Sequence, residues 1–113
     1  MTNFIEYNIF ELVDIRLGRI IEAKENNQLK KPSIMLKIDF GEKIGIKKSS
    51  AQIKSNYNTD ELIGKQIIAV TNFKPKQIGK FVSEVLVLGL PDENNQPVLV
   101  MPDQDLKNGV KLY

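Results

Sequence analysis

Between Ser33 and Phe40 the chain alternates without a break. Ile34, Leu36, Ile38 and Phe40 take one face of an extended segment, and Met35, Lys37 and Asp39 take the other. A period of two requires a strand with one buried and one wetted face, because a helix would scatter the same residues around its circumference. Gly41 and Glu42 read as a tight turn into Lys43–Lys48, where Ile44 and Ile46 alternate with Lys43, Gly45 and Lys47. Together the two runs predict a hairpin with a lysine-bearing outer face.

The remaining segments extend this β pattern. Ile15–Lys24 reads as a long first strand, with Gly18 at a point where a bulge or bend would help a small barrel close. Asn26–Pro32 is a polar turn. Gln66–Phe73 is an apolar, β-branched run, followed later by Val85–Leu90, a turn over Pro91–Gln96 and a last strand over Val98–Met101. Pro102, Asp103 and Gln104 break the pattern. Helical signals are few. Phe4, Ile5, Ile9, Phe10, Leu12 and Val13 fall at helical spacing within Asn3–Val13, with Thr2 or Asn3 as N-cap. Ser49–Tyr57 and Thr59–Ile63 are the other candidates; Thr59 caps the second, Asp60 and Glu61 occupy its first turn, and Gly64 ends it. Five or six strands with a small helical insert between the third and fourth, and no βαβ alternation, predict an all-β fold. The order suits a five-stranded Greek-key barrel of the OB type, an architecture that commonly binds oligonucleotides. A fold by itself does not fix a function.

At 113 residues and 42% hydrophobic content the chain suits one domain, over residues 1–113. It contains neither cysteine nor histidine. Disulfides, thiolate metal sites, a cysteine nucleophile and the commonest general base are thereby excluded. Asp103 and Asp105 form a carboxylate pair and Glu84 adjoins Ser83, but with no partner base or metal ligands these read as turn, capping and solubility residues. No catalysis and no cofactor are expected. MTNFIEYNIF lacks the basic-then-apolar pattern of a secretory signal, and no apolar run is long enough to span a bilayer, so a cytoplasmic location without membrane insertion is expected.

The formal net charge is only +2, yet its distribution is uneven. Twelve lysines face five acids between Lys24 and Val82, whereas Ser83–Asp105 holds five acids and no base. The basic stretch culminates in NFKPKQIGKFVSEVLVLG, Asn72–Gly89, where Lys74, Lys76 and Lys80 fall within seven positions and no carboxylate lies between Lys65 and Val82. A loop of this kind held between strands presents a local field suited to phosphates. Lys47 and Lys48 of the preceding hairpin would add to it. Phe73, Ile78, Phe81 and Val82 place large apolar groups on the same otherwise polar stretch, either as a peptide-binding groove or tucked back onto the barrel end.

Several long segments resemble one family. LVDIRLGRIIEAKE (Leu12–Glu25), IKKSSAQIKSNY (Ile46–Tyr57), ELIGKQIIAVTNFKPKQIGKFVSEVLVLG (Glu61–Gly89) and PDQDLKNGVKL (Pro102–Leu112) look like the small tRNA-binding domain that occurs free-standing and appended to some aminoacyl-tRNA synthetases. SSAQI and SEVLVLG point within it to the CsaA branch, described as tRNA-binding, chaperone-like secretion factors. The resemblance implies a non-catalytic homodimeric OB barrel that grips tRNA by shape. Asn72, Lys74, Lys76 and Ser83 match its tRNA-contacting loop and strand, and Lys47 with Ser49 and Ser50 match its IKxSS segment. The chain departs from the usual pattern at Gln77, where many members carry a second adjacent base. It departs also at Gly79–Lys80 near the loop tip, at Val82, where a base often precedes the serine, and at Leu86, a methionine in many synthetase-appended domains.

Two function classes follow. The first is structure-directed tRNA binding by Lys47, Lys48, Lys74, Lys76 and Lys80, assisted by Asn72, Ser49, Ser50 and Ser83, with little sequence specificity because few aromatics are free to stack. The second is chaperone-like binding of unfolded preproteins through Phe73, Ile78, Phe81 and Val82, with the protein-export motor as a further partner. In either case Phe4, Ile5, Ile9 and Phe10 at one end and Val110, Leu112 and Tyr113 at the other are too apolar for free termini. They are expected to build a homodimer interface or to pack on the chain's own barrel.

Overall fold

The computed structural model describes residues 3–28 and 30–113. Thr2, one of the two N-cap candidates, and Leu29 of the polar turn lie outside the described residues. In chain order the elements are α1 (Tyr7–Glu11), β1 (Ile15–Asn26), β2 (Ser33–Asp39), α2 (Gly41–Ile44), β3 (Ile46–Ala51), α3 (Thr59–Leu62) and β4 (Gln66–Val70). They continue as β5 (Lys76–Ile78), β6 (Phe81–Ser83), β7 (Leu86–Val87), β8 (Gly89–Pro91) and β9 (Pro97–Leu99).

β1 organises the molecule because it serves two partners in succession. Its first half pairs antiparallel with β4, from Ile15 opposite Val70 to Arg19 opposite Gln66. Its second half pairs with β2, from Arg19 opposite Asp39 to Asn26 opposite Ser33. The register shifts between Ile20 and Glu22, so the bulge falls there and not at Gly18. Gly18 is required for a different reason: a Cβ on it would lie 2.5 Å from Ile38 Cγ2 and 2.7 Å from the Phe40 ring. The five-stranded sheet has the order β3-β2-β1-β4-β7. Its two edges are drawn together by the segment after β6. The Glu84 amide donates to the Lys48 carbonyl at 2.8 Å, and the Ser50 amide donates to Ser83 Oγ at 3.0 Å. The result is the curled OB-type barrel that the strand order predicts.

Ile34, Leu36 and Ile38 of β2 and Phe40 just beyond it are all buried, with Ile20, Ile53, Leu62, Ile67, Ala69, Val85 and Leu99 packed around them. Leu62 on α3 is fully buried. That helix starts one residue earlier than expected: Asn58, not Thr59, is the cap. Asn58 Oδ1 accepts from the Glu61 amide at 2.9 Å while Glu61 Oε1 accepts from the Asn58 amide at 2.8 Å, a reciprocal capping box.

Several boundaries differ from those read in the sequence. The tight turn at Gly41–Glu42 is a single helical turn, α2, opened by Gly41 at φ +86° and closed by Gly45 at φ +83°. β3 therefore begins at Ile46 and runs through Ser49 and Ser50, where the sequence pattern predicts a helical segment. Ser49 lies opposite Leu36, so the interior continues through a serine and the apolar alternation is hidden. The basic loop is itself a β-hairpin, β5–β6, turned at Gly79 and Lys80 with Gly79 at φ +62°. The strand expected over Val85–Leu90 is split into β7, paired with β4, and β8, paired with β9. Helix α1 covers only Tyr7–Glu11 of the expected Asn3–Val13, with no side-chain cap, and buries none of its residues.

Candidate nucleic-acid interface

Strand alternation decides which lysines share a surface. Lys48 stands opposite Lys37, and Ser50 opposite Met35, on the outer face of β2–β3. Lys47 stands opposite the fully buried Ile38 and so takes the inward register, away from its neighbour. Hairpin β5–β6 lies beside β3, with Lys76 opposite Ser83 and Ile78 opposite Phe81 on one face, and Gln77 opposite Val82 on the other. The Lys48 ammonium sits 5.4 Å from the centroid of the Phe81 ring, a cation–π contact that ties the outer face of β3 to the hairpin.

The cations group accordingly. Lys74 and Lys76 border an open groove with Ser50 and Glu84, Lys48 stands over Phe81, and Lys80 lies at the hairpin turn beside the end of β1. Five ion pairs are formed among the described residues, and they engage Arg16, Arg19, Lys24, Lys37 and Lys54. Lys48, Lys74, Lys76 and Lys80 enter none of them, and neither does Lys47. Lys37 and Lys24 share the outer face but are held by Glu22 at 3.4 and 3.1 Å, leaving Lys48 as the uncommitted charge there.

The polar candidates divide differently. Ser49 is buried and its Oγ donates to the Val85 carbonyl at 3.0 Å. Ser83 is also buried and receives the Ser50 amide. Ser50 Oγ donates to Ser33 Oγ at 3.1 Å. Asn72 uses both ends of its amide on the N-terminal segment: Oδ1 accepts from the Asp14 amide at 3.0 Å, and Nδ2 donates to the Leu12 carbonyl at 2.8 Å. Next to it, burial pushes the Asp14 carboxyl up, but hydrogen bonds from Thr71 and Arg16 outweigh that and hold it below the ordinary value of 3.8. These four residues hold the barrel closed and anchor the N-terminal segment. Glu84 joins them with its Oε1 accepting from the Lys48 amide at 3.0 Å, a role with no sequence signal beyond its place beside Ser83. Replacing Ser49 by alanine leaves the buried Val85 carbonyl without this donor and is expected to cost about 1–3 kcal/mol of stability. A denaturant melt checks the cost; an unchanged salt dependence of RNA binding checks that Ser49 is no reader.

The apolar candidates separate as well. Phe81 and Ile78 are half-buried on the barrel-facing side of the hairpin, Val82 lies on the opposite side, and Phe73 stays 57% exposed in the groove wall. Leu86, half-exposed, forms part of the same groove; its outward position on the strand is the one local signal for it. At the termini Phe4, Ile5, Ile9 and Tyr113 are exposed, while Phe10 and Leu112 border a shared cleft. The tail is fixed to β1 by main-chain bonds, Gly109 to Leu17 at 2.7 Å and Leu112 to Ile15 at 2.8 Å.

The curled five-stranded sheet and its closing segment define a class of protein, the small OB-type β-barrel. Within that class the chain belongs to the family described as "Putative tRNA binding domain", whose model matches residues 15–111. It is 32% identical over 109 residues to the methionine–tRNA ligase of Pyrococcus horikoshii, covering 96% of this chain but only 14% of that enzyme. Among solved structures it is similar to chaperone CsaA from Bacillus anthracis, at 44% identity and a TM-score of 0.90, covering 98% of this chain and all of the other. It is also similar to the CsaA chaperone protein from Picrophilus torridus, at 50% identity and a TM-score of 0.90 over 97% of this chain and 100% of that one.

Proposed function

We propose that the chain is a non-catalytic, cytoplasmic tRNA-binding protein that acts as a homodimer and recognises its RNA by structure. One observation carries this reading: Lys48, Lys74, Lys76 and Lys80 are grouped along one hairpin and its flanking strand, with no ion-pair partner among the described residues. Uncompensated ammonium groups on a rigid sheet are suited to phosphate contacts, which position an RNA without reading its sequence. Total tRNA is expected to be retained in a filter assay at low salt and to be released as salt rises, with a log–log slope on the order of −3 to −4 for about four neutralised phosphates. Absence of retention at low salt would remove the reading.

The homodimer rests on the terminal apolar surface. Phe4 is 93% exposed and Ile5 68%, so these side chains are not buried by their own barrel. With Ile9, Phe10, Val110, Leu112 and Tyr113 they would form a self-complementary patch. Removing the first ten residues is expected to halve the solution mass measured by light scattering. A shortened chain that keeps its mass would clear this segment of the role.

A second reading is favoured by the exposed Phe73 with the half-buried Ile78, Phe81 and Val82, and with Leu86 in the same groove wall as Phe73: retention of unfolded preproteins, with the export motor as a further contact. It requires that the chain delay aggregation of a chemically denatured test protein. Identical aggregation with and without the chain would exclude it.

A further inference from the structure

We infer that the groove between hairpin β5–β6 and β7 receives an unpaired nucleotide of the bound RNA, its base against Phe73, Ile78 and Leu86 and its phosphates on Lys74 and Lys76. The inference rests on the RNA-binding reading and assigns that site a ligand. The groove is open and encloses about 580 Å³, within the usual range for small-ligand clefts. Its walls are apolar: Phe73 and Leu86 are 57% and 50% exposed, Ile78 is half-buried, and Val85 is buried beneath. Both lysines at its edge are outside every ion pair among the described residues. The one carboxylate present, Glu84, already accepts the Lys48 amide.

Charge complementarity selects the occupant. An exposed phenylalanine beside two uncommitted ammonium groups suits a ligand that joins a flat apolar body to a negative charge, and a nucleotide supplies both in each repeat unit. A basic peptide segment would be repelled at the same edge. A paired base inside a duplex keeps its faces stacked and cannot reach Phe73, so the groove serves only a single-stranded part of the RNA.

The test compares a blunt RNA duplex with the same duplex carrying a four-nucleotide 3′ single strand, both titrated at one fixed salt concentration. The extension is expected to tighten binding by about tenfold, the order of one stacked base. Phe73→Ser is expected to abolish that gain while leaving duplex affinity and its salt slope unchanged. Phe73→Trp, the sole tryptophan in a chain that has none, is expected to keep the gain and to show quenched emission with the extended RNA only. The inference is overturned if the extension adds nothing, or if Phe73→Ser weakens both RNAs alike. It is likewise overturned if the groove instead binds an acidic, phenylalanine-containing peptide in a Phe73-dependent way while the extension has no effect. Failure of total tRNA, as well as both test RNAs, to bind at low salt would remove the RNA reading itself, whereas tRNA or duplex binding without a gain from the extension removes only the groove's ligand.

Discussion

Changing Lys74, Lys76 and Lys80 together to alanine is expected to weaken tRNA binding on the order of 100-fold near 0.1 M salt. The salt slope should become shallower by about two to three units. Each lysine that neutralises a phosphate displaces a condensed counterion, so the loss appears both in affinity and in its dependence on salt. All three side chains are exposed and none takes part in an ion pair among the described residues, so stability should be nearly unaffected. Lys37→Ala is the matching control. It lies on the outer face beside Lys48 but is held by Glu22 at 3.4 Å, and its removal should lower affinity far less. Parallel titrations at several salt concentrations decide the matter. A loss for Lys37→Ala of about one third of the triple variant's, on a logarithmic scale, would mean that only net charge counts and that the hairpin has no special role.

The largest expected effect on stability is that of Phe40→Ala. Phe40 is the bulkiest of the fully buried side chains, and its ring occupies the space that a Cβ at Gly18 would need. Truncation removes the apolar burial and leaves a void above a residue that has no side chain to fill it. A loss of about 3–5 kcal/mol is expected, which for a chain of this size lowers the melting midpoint by roughly 12–20 °C. The same contact predicts the partner change. Gly18→Ala alone forces its new methyl against Ile38 and the Phe40 ring, whereas Gly18→Ala combined with Phe40→Ala should cost less than the two changes summed. Additive losses in thermal melts would show that the two positions do not share that space.

How much of this was legible in the chain depends on which residues carry it. The unbroken alternation of Ile34, Leu36, Ile38 and Phe40 is a local signal, and all four are buried as it requires. The charge run at Lys74, Lys76 and Lys80 is local too, and those residues remain uncommitted in the fold. Lys47 and Lys48 are adjacent in sequence and look equivalent, yet strand pleating sends them to opposite sides, Lys47 beside Ile38 and Lys48 over Phe81. Ser49, Ser83 and Asn72 are RNA-contact candidates by their match to the family's segments. In the fold their side chains bond Val85, Ser50 and the Asp14 and Leu12 backbone, contacts that no local pattern announces.

The sequence by itself determined the all-β, OB-type fold class, the buried face of β2, the position of the helical insert and the place where positive charge accumulates. These follow from periodicity and composition within short windows, where each residue's preference is set by its immediate neighbours. The tertiary structure alone decided the register shift in β1, the closure of the barrel through Ser49, Ser83 and Glu84, and which cations stand together beside an apolar groove. Those features depend on pairings between residues 15 to 36 positions apart, and on which side of a pleated strand each one falls. No local pattern of residues encodes either.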